Sequence, residues 1–417
     1  MNHGTMLRAL LPLVLLAGGA LAQDDLKDRV EKLETENREL LRRFDALAEH
    51  QETLELGELV PELGDGEKGL APAASKVYRA DGLSIGGYGE ALYQNYAGNK
   101  TDTADFLRAV LYFGYRFDES WLFNSEIEFE HASTGEGGEA SVEFAYLEHA
   151  CGEDTSVRAG LLLVPMGFLN ELHEPTTFLG ATRPETESRI LPTTWRELGA
   201  GVVGEAGPWS YRVTAVTGFD GEGFSQAGLR GGRQKGSRAK AEDFALVARA
   251  DWVDTPGVLA GASVYHGDSG QETAGLGDTA TTIVELHGEV RTGGLWARCL
   301  VAMASVDDVA ELNAANGYGP TESVGEELSG GYVELGYDLM RHLDESSTSS
   351  LTPFLRYERI DTQAEVPSGF TAAAANDFDV VTVGLNWKPI DRIVLKLDYQ
   401  DFEVAEDRVN LSIGCVF

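Results

Sequence analysis

The chain has 417 residues, 33 Lys and Arg against 68 Asp and Glu, and a formal charge of −35. That balance leaves no electrostatic footprint for nucleic acid. Beyond the N-terminus no apolar run reaches 18 residues, so no helical membrane span is expected, although a barrel spanning with alternating strands would escape that test.

Residues 1–22 read as a signal peptide, with Arg8 before the apolar stretch "ALLPLVLLAGG" and an A-x-A site at Ala20-Leu21-Ala22. Residues 23–56 carry a heptad seam: Leu26, Val30, Leu33, Asn37, Leu40, Phe44, Leu47, Gln51 and Leu54 recur at steps of four and three. This predicts a periplasmic coiled coil, with Asn37 at an a position fixing oligomer register. A Gly-, Pro- and Ala-rich stretch at 57–82 reads as a linker.

From Leu83 to Phe417 the texture changes to sixteen segments, many of alternating polarity. Short connections such as "DES", "CGED", "GP", "DTPG", "TGG" and "KPID" interleave with long ones near 97–105, 166–197, 220–241, 268–278, 305–327 and 363–375. A soluble sandwich has no reason to lengthen every second turn. A barrel with tight periplasmic turns and long outer loops does. The final strand, "EDRVNLSIGCVF", sets Val409, Leu411, Ile413, Cys415 and Phe417 on one face. Lipid is the expected cover, since ten tilted strand residues span roughly 23 Å of membrane normal. Trp121, Trp209, Trp252 and Trp387 lie beside short turns on apolar parities, as an interfacial girdle requires. The expectation is an all-β, sixteen-stranded antiparallel transmembrane barrel preceded by the coiled coil.

The opposite parity should face the lumen. It carries Arg108, Arg116, Glu126, Glu128, Glu143, Arg158, Glu285, Arg249, Arg298, Glu334, Arg356, Glu358, Lys396 and Asp398. The third long loop holds Phe168, Leu169, Leu172, Phe178, Leu179, Ile190, Leu191 and Trp195, so it must pack on something. Folded into the barrel it would form a constriction bearing Arg183, Arg189 and Arg196 against Glu171, Glu174, Glu185 and Glu187. The fourth loop, "GLRGGRQKGSRAK", brings Arg230, Arg233, Lys235, Arg238 and Lys240 without an acid. It reads as an anion funnel at the outer mouth, a clamp for lipopolysaccharide phosphate, or a solvated Gly-rich loop. Cys151, Cys299 and Cys415 are too few and too far apart for a disulfide framework or a metal site. No GxSxG occurs, and neighbouring His173 and Glu174 lack a paired nucleophile, so no enzyme and no cofactor are expected.

The stretch "VRAGLLLVPMGFLNELHEPTTFLG" followed by "RPETESRILPTTWRELGAG", with "NSEIEFEHA", "GGYGEALY" and Phe417, resembles the phosphate-selective porin O and P family. The resemblance implies a sixteen-stranded homotrimer in the cell outer membrane, surrounded by lipid and lipopolysaccharide. It also implies an inward third loop and recognition of Phe417 by the barrel assembly machinery. The function expected from it is passive passage of small hydrophilic or ionic solutes, anions such as phosphate among them. The inward glutamates compete with Arg108, Arg158, Arg183, Arg189 and Arg196, so selectivity stays open between the two signs. The alternative is an anchor in which the coiled coil links the outer membrane to the cell wall.

Overall fold

The computed structural model describes residues 32, 33, 35, 37–43, 63, 66–135, 137–344 and 347–417. Residues 1–22, expected as a signal peptide, lie outside them, as does most of the expected coiled coil. The described residues of that segment are helical and exposed, Asn37 included, and Arg43 pairs with Glu39 one turn away at 2.7 Å.

Sixteen antiparallel strands form the barrel: β1 (Leu83–Tyr96), β2 (Thr103–Arg116), β3 (Trp121–Glu130), β4 (Glu139–Ala150), β5 (Thr155–Leu163), β6 (Arg196–Ala206), β7 (Trp209–Thr217), β8 (Phe244–Trp252), β9 (Val258–Gly267), β10 (Thr281–Thr292), β11 (Leu295–Val306), β12 (Glu327–Tyr337), β13 (Ser350–Glu365), β14 (Asp377–Ile390), β15 (Ile393–Phe402) and β16 (Arg408–Val416). Each pairs with its sequence neighbours, and β16 closes on β1 from Tyr88↔Val416 to Tyr96↔Arg408. Closure removes every edge whose backbone would otherwise lie unpaired in hydrocarbon.

The alternation in sequence becomes an inverted polarity in space. On β13, Leu355 is 49% exposed while Arg356 beside it is fully buried. Val301 and Met303 on β11 point out, and Leu300 and Ala302 point in. Outward leucines, valines and isoleucines continue around the barrel, as on Leu246, Leu286, Val333, Leu397 and Ile413. A belt of that extent far exceeds what a water-soluble surface carries, whereas a lipid surround requires it. Trp121, Trp209 and Trp387 are exposed at the short-turn end, and Trp209 faces Trp252 across β7 and β8. Trp296 turns inward instead, where its indole N–H donates to Glu289 at 3.0 Å.

Long connections gather at the other end. The longest, L3 (164–195), carries the short helix α1 (Glu185–Arg189). L4 (218–243) follows β7, and the β11–β12 connection holds α2 (Val309–Asn316). One turn at the short-turn end, between β12 and β13, is enlarged by α3 (Met340–Leu343).

Candidate functional site

L3 folds into the barrel. Its apolar residues Phe168, Leu169, Phe178, Leu179, Ile190, Leu191 and Trp195 are buried, and Trp195 stacks on Phe219 of L4 at 4.5 Å between ring centroids. An irregular backbone at this depth must find hydrogen-bond partners, and the lumen wall supplies them. Lys388 donates to Thr176 O at 2.8 Å, Arg298 to Thr177 O at 3.2 Å, Asn386 to Leu179 O at 3.1 Å and Lys396 to Gly180 O at 2.9 Å. Arg249 donates to Gly167 O. Asp398 accepts from Ala181 N–H at 2.6 Å and Glu358 from Thr186 N–H at 3.2 Å. Arg249 and Lys396 thus face inward, but they lie under the loop as its fastenings instead of lining free water.

A second segment fills the short-turn end. Residues 66–80 lie in the stretch expected to be a linker, yet Leu70, Ala71, Ala73, Ala74 and Val77 are buried against Tyr88, Tyr112, Phe144 and Tyr146 of the wall. Gly114 allows this approach, because a Cβ there would strike Val77. Asn124 donates to Ala74 O at 2.9 Å and Arg116 to Tyr78 O at 2.6 Å. Glu148 accepts from Lys68 and Tyr78, both at 2.6 Å, and from Arg158 at 2.8 Å. Arg116 and Arg158 therefore hold this segment. Glu174 joins it to L3, accepting from Ala73 N–H at 2.8 Å and Ala74 N–H at 3.1 Å. Burial pushes the Glu174 carboxyl up to about 7, although those two N–H groups favour its charged form. Lys76 is buried with no hydrogen-bond partner for its Nζ among the described residues, and burial, with Arg392 adding repulsion, pushes it down to about 8.

Outside these two obstructions a vestibule of about 290 Å³ remains between L3, L4, β1, β2 and β16. Four of its lining residues are Arg108, Arg183, Arg230 and Arg408, and the acids among them are Glu90 and Glu185. Arg108 lies 3.7 Å from Glu90 and 3.5 Å from Glu128, and Arg408 lies 3.5 Å from Glu185. Arg183 donates one nitrogen to Thr194 Oγ1 at 2.8 Å, while its NH2 has no partner among the described residues. Burial, then repulsion from Arg108, pulls the Arg183 guanidinium down. Burial, then Arg183, pulls Arg230 down to about 10, so Arg230 stays charged at neutral pH.

The expected constriction residues separate. Arg183 lines the vestibule, and Arg189 pairs with Glu185 at 2.9 Å beside it. Arg196 binds Glu143 at 3.1 Å, Glu171 binds Arg212 at 2.7 Å, and Glu174 holds segment 66–80, so these three are committed to holding the loop. The basic fourth loop divides too. Arg230 reaches the vestibule, and Arg233 donates to Pro192 O at 3.1 Å and also to Thr194 O. Lys240 pairs with Asp220 at 2.9 Å and Glu222 at 2.5 Å. Lys235 and Arg238, both at positive φ, line no part of the vestibule. Arg408 was absent from the expected set, though it shares the inward parity of Asn410 and Ser412, and that parity was its available signal.

No family model matches the chain. A protein of Aquifex aeolicus (strain VF5), described as an uncharacterized protein, is 37% identical over 370 residues, covering 85% of this chain and 84% of that one. Among solved structures, the loop-L8 deletion mutant of OmpT, an outer membrane protein of Vibrio cholerae, superposes with a TM-score of 0.50 at 12% identity, covering 80% of this chain and 99% of that one. Salmonella typhi OmpF in complex with daunomycin gives 0.50 at 10% identity, covering 80% and 97%. The likenesses to solved structures concern the fold, a porin-type barrel. The chain belongs to the family of the Aquifex aeolicus protein, and its own fold is the sixteen-stranded porin-type barrel.

Proposed function

We propose that the protein is an outer membrane channel for small hydrophilic solutes that favours anions of about the size of phosphate. The observation that carries this reading is the vestibule: four arginines against two glutamates, in a chain whose formal charge is −35. A low-dielectric mouth with excess positive charge concentrates anions and repels cations. The lumen fastenings and segment 66–80 narrow the route beyond it, so transport is selective and slow, with no chemical step. The test is the reversal potential of the purified protein in a planar bilayer under a KCl gradient, repeated with Arg183→Ala/Arg230→Ala. Anion selectivity that falls in the double variant supports the reading.

The same reading places the barrel among outer membrane lipid and lipopolysaccharide, with Phe417 as the contact for the barrel assembly machinery. It makes the heptads at 23–56 a periplasmic tie between three chains, with Asn37 setting their register. Deleting 23–56 should then lower the yield of cross-linked trimer and leave single-channel conductance unchanged; an unchanged trimer yield would remove the heptads from assembly.

A further inference from the structure

Beneath the vestibule, His173 of L3 meets the wall at β3 and β4. Its Nε2 lies 3.1 Å from Glu126 Oε1 and 3.2 Å from Glu143 Oε2. All three side chains are almost completely buried. The other ring nitrogen, Nδ1, lies 3.1 Å from Asn170 O. A carbonyl oxygen only accepts, so Nδ1 carries a hydrogen, and the neutral ring presents its Nε2 lone pair to two carboxylates. Such an arrangement needs a cation in the middle.

A proton on Nε2 serves this purpose only in part. It can bond Glu126 Oε1, but Glu143 Oε2, though 3.2 Å away, has no hydrogen-bond partner among the described residues. Glu126 Oε2 is also unpartnered and buried. His287, elsewhere in the lumen, shows how a histidine normally bridges two acids: Nδ1 faces Glu285 at 2.9 Å and Nε2 faces Asp251 at 2.7 Å, one nitrogen for each. At His173 both acids converge on one nitrogen.

Convergence on one point is the geometry of metal ligation. Bonds of about 2.0–2.2 Å in a tetrahedral shell place ligand atoms about 3.3–3.6 Å apart. The ligand atoms of Glu126, Glu143 and His173 all lie within 4.8 Å of one another, with the two edges at Nε2 already near that spacing. We propose that Glu126, Glu143 and His173 form a site for one divalent transition-metal cation of the zinc class, fastening L3 to β3 and β4. The outer contacts suit it. The Asn170 carbonyl fixes the tautomer of His173, and Arg196 donates to Glu143 Oε1 at 3.1 Å. Arg196, Arg183 and Arg108 oppose a dication, but Arg108 is already met by Glu90 and Glu128, and the two ligating carboxylates balance the metal charge. The fourth coordination position is left for the second oxygen of Glu126 or for water.

The full-length protein, purified in detergent and stripped with chelator, is loaded with zinc, freed of excess metal and assayed for bound metal and melting temperature. One zinc per chain is expected, with a raised melting temperature. Cobalt should give the visible absorption of a four-coordinate N/O site. Glu126→Gln and His173→Gln should weaken zinc binding by more than the roughly 10–100-fold that outer contacts are worth, and His287→Gln should leave it intact. Heat-modifiable migration on gels identifies folded variants, and either ligand variant alone suffices for the comparison. A wild-type barrel without stoichiometric zinc overturns the proposal and leaves a proton as the bridge. Zinc retained in the ligand variants overturns it equally.

Discussion

Glu174→Ala separates the two segments that fill the lumen. The carboxylate is fully buried and accepts from Ala73 N–H at 2.8 Å and Ala74 N–H at 3.1 Å. Removing it leaves two buried donors without partners, at about 1–3 kcal/mol each, so segment 66–80 loses about 2–6 kcal/mol of its docking energy. The lost burial cost of the carboxylate, whose pKa burial holds near 7, moves the expected value toward the lower end. At about 2 kcal/mol the undocked population rises roughly 30-fold. Hydrogen exchange reads this directly: amides in 66–80 should lose protection by at least that factor while β10–β14 keep theirs, because local opening leaves the barrel ladder intact. Single-channel conductance should rise in parallel. Glu174→Gln, whose amide oxygen can still accept, should fall between the two. If exchange in 66–80 is unchanged in the alanine variant, Glu174 does not hold the segment. If the segment opens and conductance is unchanged, the segment does not obstruct the route.

Two further outcomes follow from single positions. Lys76 is charged and buried below its folded pKa of about 8 and binds a proton more readily when unfolded, near 10.5, so the penalty it imposes is full below pH 8 and disappears as pH rises to 10.5. Lys76→Met should therefore raise the melting temperature at pH 7, and the gap to wild type should close by pH 10.5; a gap independent of pH would mean that Lys76 is solvated. On the outer face, Val301→Arg sets a charge at mid-strand on β11 and should cost about 2–4 kcal/mol in refolding titrations in lipid, whereas no penalty would place that face in water.

The barrel was legible because its determinants are local. Parity along each strand and the alternation of short and long connections need no knowledge of partners, and all sixteen expected strands are present. Glu126, Glu128, Arg158, Arg249 and Lys396, expected on the inward parity, are all buried. What those residues do was not legible, because it depends on contacts distant in sequence. Lys396 meets Gly180, and Arg158 meets Tyr78. The 57–82 stretch has linker composition, and small residues without periodicity give no sign that Ala73 and Ala74 are buried inside a barrel. In L3 the apolar content signalled packing, but nothing local distinguished Arg183, which lines the vestibule, from Arg196, which pairs with Glu143.

An acidic barrel with a basic entrance should pass anions in preference to cations. The most direct test is the sign of the reversal potential for the purified full-length protein under a KCl gradient. Anion selectivity is expected, reduced when Arg183 and Arg230 are both replaced by alanine. A cation-selective potential, or one indifferent to that double replacement, would contradict it and give control of the pore to the inward glutamates.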